Sequence, residues 1–129
     1  MDIQKAHRGE GDGETGESAV NKVIKSDWLK DLRTNQYMQG RVYLCRTNGK
    51  QVLFSAFGIL CDIHAQRYSN FWIKRLFLNR YKYGGEDQFP PNEVLDWAEL
   101  GKETALALSE MNDAGKSFED IADYIDREL

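Results

Sequence analysis

Residues 41–68 read RVYLCRTNGKQVLFSAFGILCDIHAQRY, and the spacing of their apolar side chains changes partway along. Up to Phe54 these residues alternate around Asn48-Gly49, a pair suited to the two central positions of a type I′ turn, both of which need positive φ. That predicts a hairpin over 41–54 with Cys45 opposite Val52 and Tyr43 opposite Phe54. From Ser55 onward Phe57, Leu60, Cys61, His64 and Tyr68 fall at i, i+3, i+4, i+7 and i+11, which is one face of a helix. Ile59 and Ile63 widen the stripe, so this helix is expected to be the most buried element. A hairpin leading directly into a buried helix points to an α+β fold.

Upstream, Val20, Val23, Ile24, Trp28, Leu29 and Leu32 predict a helix over about 19–34, with Ser26 or Asp27 as a second cap and Asn35 and Gly40 marking its end. Downstream, residues 71–83 (FWIKRLFLNRYKY) alternate as a strand with a bend near Leu76–Leu78, and Gly84-Gly85 end it. The last third reads as helical. Pro90-Pro91 open one helix that Gly101 closes, a second covers about 103–112, and Ser117 caps a third that buries Phe118, Ile121, Ala122, Ile125 and Leu129. The expected architecture is a small antiparallel sheet, hairpin 41–54 plus strand 71–83, packed by about five helices in a single domain over 19–129. Residues 1–18, where glycines alternate with acids and apolar side chains are scarce, are expected to form a disordered tail.

The chain of 129 residues is 41% apolar and 29% charged, enough to bury a core without staples. No apolar run approaches the roughly 18 to 20 residues of a membrane helix. The N-terminus lacks the apolar stretch of a secretory signal, so a cytoplasmic protein without a membrane partner is expected. Cys45 and Cys61 then read as reduced core thiols. A zinc on Cys61, His64 and a carboxylate would match no motif spacing, and no metal or cofactor is expected.

Net charge is −4, but it is unevenly distributed. Residues 27–83 hold ten Lys/Arg against three Asp/Glu, whereas 84–129 hold three against thirteen. Such asymmetry points either to a charged partner or to two halves facing each other's field. In the acidic part, Glu119, Asp120, Asp123 and Asp126 project from the last helix, as a solvated face or as a surface that imitates phosphates toward a nucleic-acid-binding protein.

The chemistry-bearing residues are few. No glycine-rich phosphate loop, Gly-x-Ser-x-Gly or metal-binding His pair occurs. Cys61 and His64, three apart on a helix, could touch as nucleophile and base, but both lie on the apolar stripe, where a thiol is inert. On an uninterrupted strand, Trp72, Lys74, Arg80 and Lys82 would share one face, with Phe71, Ile73, Phe77, Tyr81 and Tyr83 on the other. That cationic face is either solvated, guarding a strand edge, or a platform on which Trp72 stacks a base and the cations meet phosphates. A sequence pI near 5.2 argues against direct nucleic-acid binding.

The strings WLKDLRTNQYMQGRVYL, FGILCDIH, FPPNEVLDWAEL and MNDAGKSFEDIADYIDREL resemble a family of small uncharacterised proteins of bacteriophages, prophages and their bacterial hosts. That family shows a Trp-led helix, a Tyr-x-Gln-Gly turn, a Leu-Gly-Val-Leu-Cys-Asp helix and a closing Asn-Asp-x-Gly-x-Ser-Phe helix, and the likeness covers about 26–129. Members often carry two adjacent cysteines where this chain has Ser55 and Ala56. The resemblance implies a source and a fold rather than an activity.

Together these readings lead to an expected function. It is a non-enzymatic phage or mobile-element protein that inhibits a host defence or nucleic-acid machine, for example a CRISPR complex, by protein contact. The expected contact residues are Glu119, Asp120, Asp123 and Asp126 with Trp72 and Tyr83 as anchors. The alternative is sequestration of a nucleotide signal by Trp72, Lys74, Arg80 and Lys82. A homodimer through the apolar hairpin is compatible with both.

Overall fold

Asn21 starts the first helix: its side-chain oxygen accepts the N–H groups of Val23 and Ile24 at 3.0 and 3.1 Å. The resulting α1 (Lys22–Arg33) runs without a break through Ser26-Asp27, where a second cap was expected. Ile24, Trp28 and Leu32 recur every four residues and are buried, while Val23 points to solvent. The computed structural model describes residues 20–129, so the expected tail over 1–18 lies outside the described residues.

The sheet is smaller than expected and partly parallel. Strand β1 (Met38–Gln39) pairs in parallel with β3 (Gln51–Phe54), and β2 (Cys45–Asn48) pairs antiparallel with β3, giving the order β1-β3-β2. The hairpin register differs from expectation by two residues: Cys45 faces Phe54, Thr47 faces Val52 and Asn48 faces Gln51. Gly49-Lys50 therefore form the turn, and only Gly49 has positive φ, as a type II′ turn requires. A two-residue shift keeps every side chain on its face, which is why the apolar pattern alone did not distinguish the registers.

The ladder starts at Cys45 rather than 41 because the backbone of Leu44 is engaged elsewhere. Its N–H donates to Asp87 O and its carbonyl accepts from Ser55 N. Val42 sits at φ +72, held by an N–H bond to Asp113 Oδ1 at 2.8 Å. A β-branched residue there costs about 1–3 kcal/mol, offset by its neighbours.

Helix α2 (Ala56–Tyr68) follows, capped by the Ser55 hydroxyl, which accepts from Gly58 N. It is the most buried helix, as expected, with Ala56–Cys61 and Ile63–Ala65 all inside. Gly58 is required by packing: a Cβ there would lie 1.8 Å from the Leu44 carbonyl oxygen. Tyr68, expected on the buried stripe, is exposed because the last turn of α2 extends past the core.

Residues 71–83 are not one strand. They fold back on themselves as β4 (Ile73–Lys74) and β5 (Tyr81–Lys82), paired antiparallel with Ile73 facing Lys82 and Lys74 facing Tyr81. This hairpin docks on β2 through Thr47 N–H donating to Asn79 O at 2.7 Å. Three helices complete the fold: α3 (Asn92–Ala98), α4 (Lys102–Asp113) and α5 (Phe118–Glu128). Glu99 at φ +60 ends α3, so Gly101 is the N-cap of α4 and not the stop of α3. Ser117 caps α5 as expected, and α5 packs on α1 while α2 contacts α1, α3 and α4.

One buried amide joins these pieces. Asn112, 2% exposed, accepts from Ala56 N and Gln39 Nε2 and donates to Gly40 O. Gln39 in turn donates to Lys116 O and accepts from Phe118 N. Replacing Asn112 by Ala strands a buried N–H and a buried carbonyl, each worth about 1–3 kcal/mol. Urea unfolding should show Asn112→Ala less stable by roughly 3 kcal/mol, with Gln39→Ala adding less than its own separate effect because the two share bonds.

Candidate functional site

The hairpin β4–β5 exposes the largest run of apolar side chains in the described residues: Phe71 (83% exposed), Ile73, Leu76 (77%) and Phe77 (94%). Its tip is a turn closed by Leu78 N–H donating to Arg75 O at 3.2 Å, in which Phe77 is the third residue and has φ +63. That position favours glycine, so an aromatic side chain there is held at the tip against a backbone cost. Monomeric surfaces seldom leave such a cluster uncovered without a use for it.

The base of the hairpin is braced. Asp87 accepts from Arg75 Nη1 at 2.9 Å and Arg80 Nε at 3.0 Å, and the Arg80 guanidinium stacks 4.4 Å from the Tyr43 ring centroid. Trp72 is half-buried, its Nε1–H donating to Asp62 Oδ1, and its ring lies 5.1 Å from that of Tyr83. Asp62 also accepts from the Tyr37 hydroxyl at 2.6 Å.

The residues singled out in the sequence are thus redistributed. Tyr83 is 2% exposed and is no surface anchor. Reversal of the chain at 76–78 breaks the expected cationic face: Lys82 pairs with Ile73 and Lys74 with Tyr81, on opposite faces, while Arg80 is committed to Asp87 and Tyr43. Trp72, Lys74, Arg80 and Lys82 do not converge on one platform. The expected inner face is not core either, since Phe71, Ile73 and Phe77 are among the exposed side chains. The three consecutive apolar residues Leu76-Phe77-Leu78 were the signal available in sequence, because no strand alternates through them.

On α5, Glu119, Asp123 and Asp126 gather around Arg33 of α1. Arg33 Nη1 contacts Glu119 and lies 2.9 Å from Asp123, and Nη2 lies 3.8 Å from Asp126. Three of the four expected contact acids therefore share one internal cation. Asp120 stands apart, its backbone N–H bonded to Ser117 Oγ.

Cys61 is fully buried and burial pushes its thiol well above the ordinary value, while Cys45 is pushed up to about 12. His64 is also buried. Its Nδ1 is 2.6 Å from the Tyr83 hydroxyl, which receives a bond from Asn70 Nδ2, and its Nε2 is 3.8 Å from Glu93 Oε2. Tyr68, Tyr83 and Trp97 surround its ring with centroids at 4.8, 5.6 and 4.9 Å. His64 is thus bonded to a phenol and walled by aromatics, and no hydrogen bond links it to Cys61.

The family described as Domain of unknown function (DUF8296) matches residues 20–129, and the chain belongs to it. Comparison with curated proteins and with solved structures gave no match. No helix among the described residues is long and apolar enough to cross a membrane.

Burial of both thiols has a direct consequence. A thiol reagent at neutral pH should label neither Cys45 nor Cys61 in the native protein and both in denaturant; fast native labelling of Cys61 would revive a catalytic role. Burial also lowers the His64 pKa, with Glu93 partly opposing the shift. The unfolded chain then takes up its proton near pH 6.5 and the folded chain only below that. The His64 contribution should be complete above about pH 6.5 and decline as pH falls toward the folded pKa. Denaturation midpoints between pH 7 and 5 should fall less steeply in His64→Gln.

Proposed function

We propose that this chain is a non-catalytic protein-binding module whose contact surface is the exposed tip of the β4–β5 hairpin. The observation that carries the reading is Phe77, almost wholly exposed and held at positive φ in a position that favours glycine. Backbone strain retained where it presents an aromatic to solvent is a feature of functional sites, and the turn fixes the direction in which the ring leaves the surface. Leu76 extends the apolar area beside it.

The partner is a protein with an apolar recess rimmed by carboxylates. Residues 67–83 carry Arg67, Lys74, Arg75, Arg80 and Lys82 and no acid, so an acidic rim is electrostatically complementary. A membrane surface fits less well. Asp87 pairs with two of these cations, and the chain's net charge of −4 opposes an anionic leaflet. The motif resemblance supports a phage or mobile-element source, and within this proposal the partner belongs to a host defence or nucleic-acid machine.

Phe77→Gly separates function from folding, because glycine relieves the backbone while removing the anchor. It should leave the denaturation midpoint unchanged or raise it by a few degrees, and abolish capture of a stoichiometric protein from host lysate by the immobilised chain. Lys74→Glu with Lys82→Glu should slow capture without eliminating it. Unchanged capture by Phe77→Gly overturns the hairpin as contact surface, and a wild-type dimer that Phe77→Gly dissociates makes the partner a second copy instead.

A further inference from the structure

Beside the hairpin, away from Phe77, a cleft of about 320 Å3 is lined by Asn70, Phe71, Ile73, Tyr83, Glu93 and the Gly84-Gly85 turn. Its chemistry is unlike that of the hairpin tip. Among the described residues no Lys or Arg lines it. The Glu93 side chain is 63% exposed, and among the described residues the basic nitrogen within 4 Å of its carboxylate is His64 Nε2. Phe71 and Ile73 present uncovered apolar surface to the same space. Tyr83 is the one buried residue of the lining, and its hydroxyl is already bonded to His64 and Asn70. Asn70 uses its amide N–H on Tyr83, and no hydrogen bond engages its side-chain oxygen among the described residues.

A carboxylate without a cationic partner, an amide acceptor, aromatic faces and an aliphatic wall are the components that recognise an alkylammonium ion. The lining disfavours a phosphate, since the Glu93 carboxylate would repel it and no Lys or Arg is among the described lining residues. We propose that this cleft binds an organic ammonium ion bearing an apolar arm, the ammonium against Glu93 and Asn70 and the arm against Phe71 and Ile73. Two sources share that chemistry: a free amine, and a lysine side chain of a partner seated on the adjoining hairpin. Affinity for a small amine should be weak, with a Kd on the order of 1 mM, because exposed ion pairs and single cation–π contacts each contribute little.

The site is coupled to the core through His64. The titratable groups facing His64 are Glu93 from α3, Tyr83 beyond β5 and Tyr68 of its own helix. Glu93 favours protonated His64, so a cation bound at Glu93 should push the His64 titration to lower pH. Reciprocally, ammonium affinity should fall as His64 becomes protonated.

The test is titration of the full chain with phenethylammonium chloride, followed by amide NMR shifts and the His64 ring proton. Saturable shifts at Asn70, Gly84 and Gly85 are expected, weakened at least fivefold in Glu93→Gln, together with a lowered His64 midpoint. 2-Phenylethanol and phenylacetate should give neither response. Equal shifts with 2-phenylethanol, or undiminished binding in Glu93→Gln, would overturn the proposal. A short apolar peptide with one central lysine distinguishes the sources: tighter binding than the free amine assigns the cleft to a partner's lysine, and binding of the amine alone assigns it to a small molecule. Phe77 lies outside the cleft lining, so Phe77→Gly should retain amine binding whatever becomes of protein capture.

Discussion

A single buried carboxamide decides how this chain closes. Asn112, near the end of α4, bonds simultaneously to the start of α2, to the Gly40 carbonyl and to Gln39, which itself holds the backbone on both sides of Ser117. Three separate stretches of the chain, 39–40, 56 and 112–118, are thereby fixed to one another through neutral groups whose bonds must all form together, since a half-satisfied amide in the core is costly. The sheet, the most buried helix and the closing helix all take their relative positions from this junction. Trp28 reinforces it by donating its indole N–H to the same residue, Ala56, that bonds to Asn112.

This junction is built from two of the stretches on which the resemblance rests. Gln39 and Gly40 come from the Tyr-x-Gln-Gly turn, and Asn112, Asp113, Ser117 and Phe118 come from the Asn-Asp-x-Gly-x-Ser-Phe segment. In three dimensions they meet: Asp113 holds the Val42 N–H, and Phe118 N–H binds Gln39. These residues are therefore consumed in assembling the fold. Surface chemistry must be sought where side chains are not consumed by such bonds, which is the hairpin over 73–82 and the cleft beside it.

Electrostatics follow the same logic. The opposite charges of the two parts of the chain are partly satisfied within the molecule, because Arg33 serves three carboxylates of α5 and Asp87 serves two guanidinium groups of the hairpin. The Arg33 pairs are largely exposed and contribute modestly to stability, whereas the Asp87 carboxylate is mostly buried. Their larger effect is to decide which charges remain for a partner: Lys74 and Lys82 on the hairpin, Asp120 on α5 and Glu93 at the cleft.

Local sequence determined most of the helices: Asn21, Ser55 and Ser117 cap, and the buried stripes of α1, α2 and α5 repeat at helical spacing, whereas α3 ends at Glu99 in the left-handed region and not at the expected Gly101. The α+β class and the buried thiols were equally readable, since both rest on local periodicity and residue type. Register, strand limits and exposure were not. A hairpin shifted by two residues has identical faces, so only the competing bonds of Leu44 to Asp87 and Ser55 end the ladder at Cys45. Phe71 and Phe77 look like core in sequence, as any strand aromatic does. That they stand in solvent, while Tyr83 is enclosed against His64 and Trp72, depends on a chain reversal at 76–78 and on the Asp87 clamp that holds it. Burial is a property of what other segments cover, and only the assembled structure sets it.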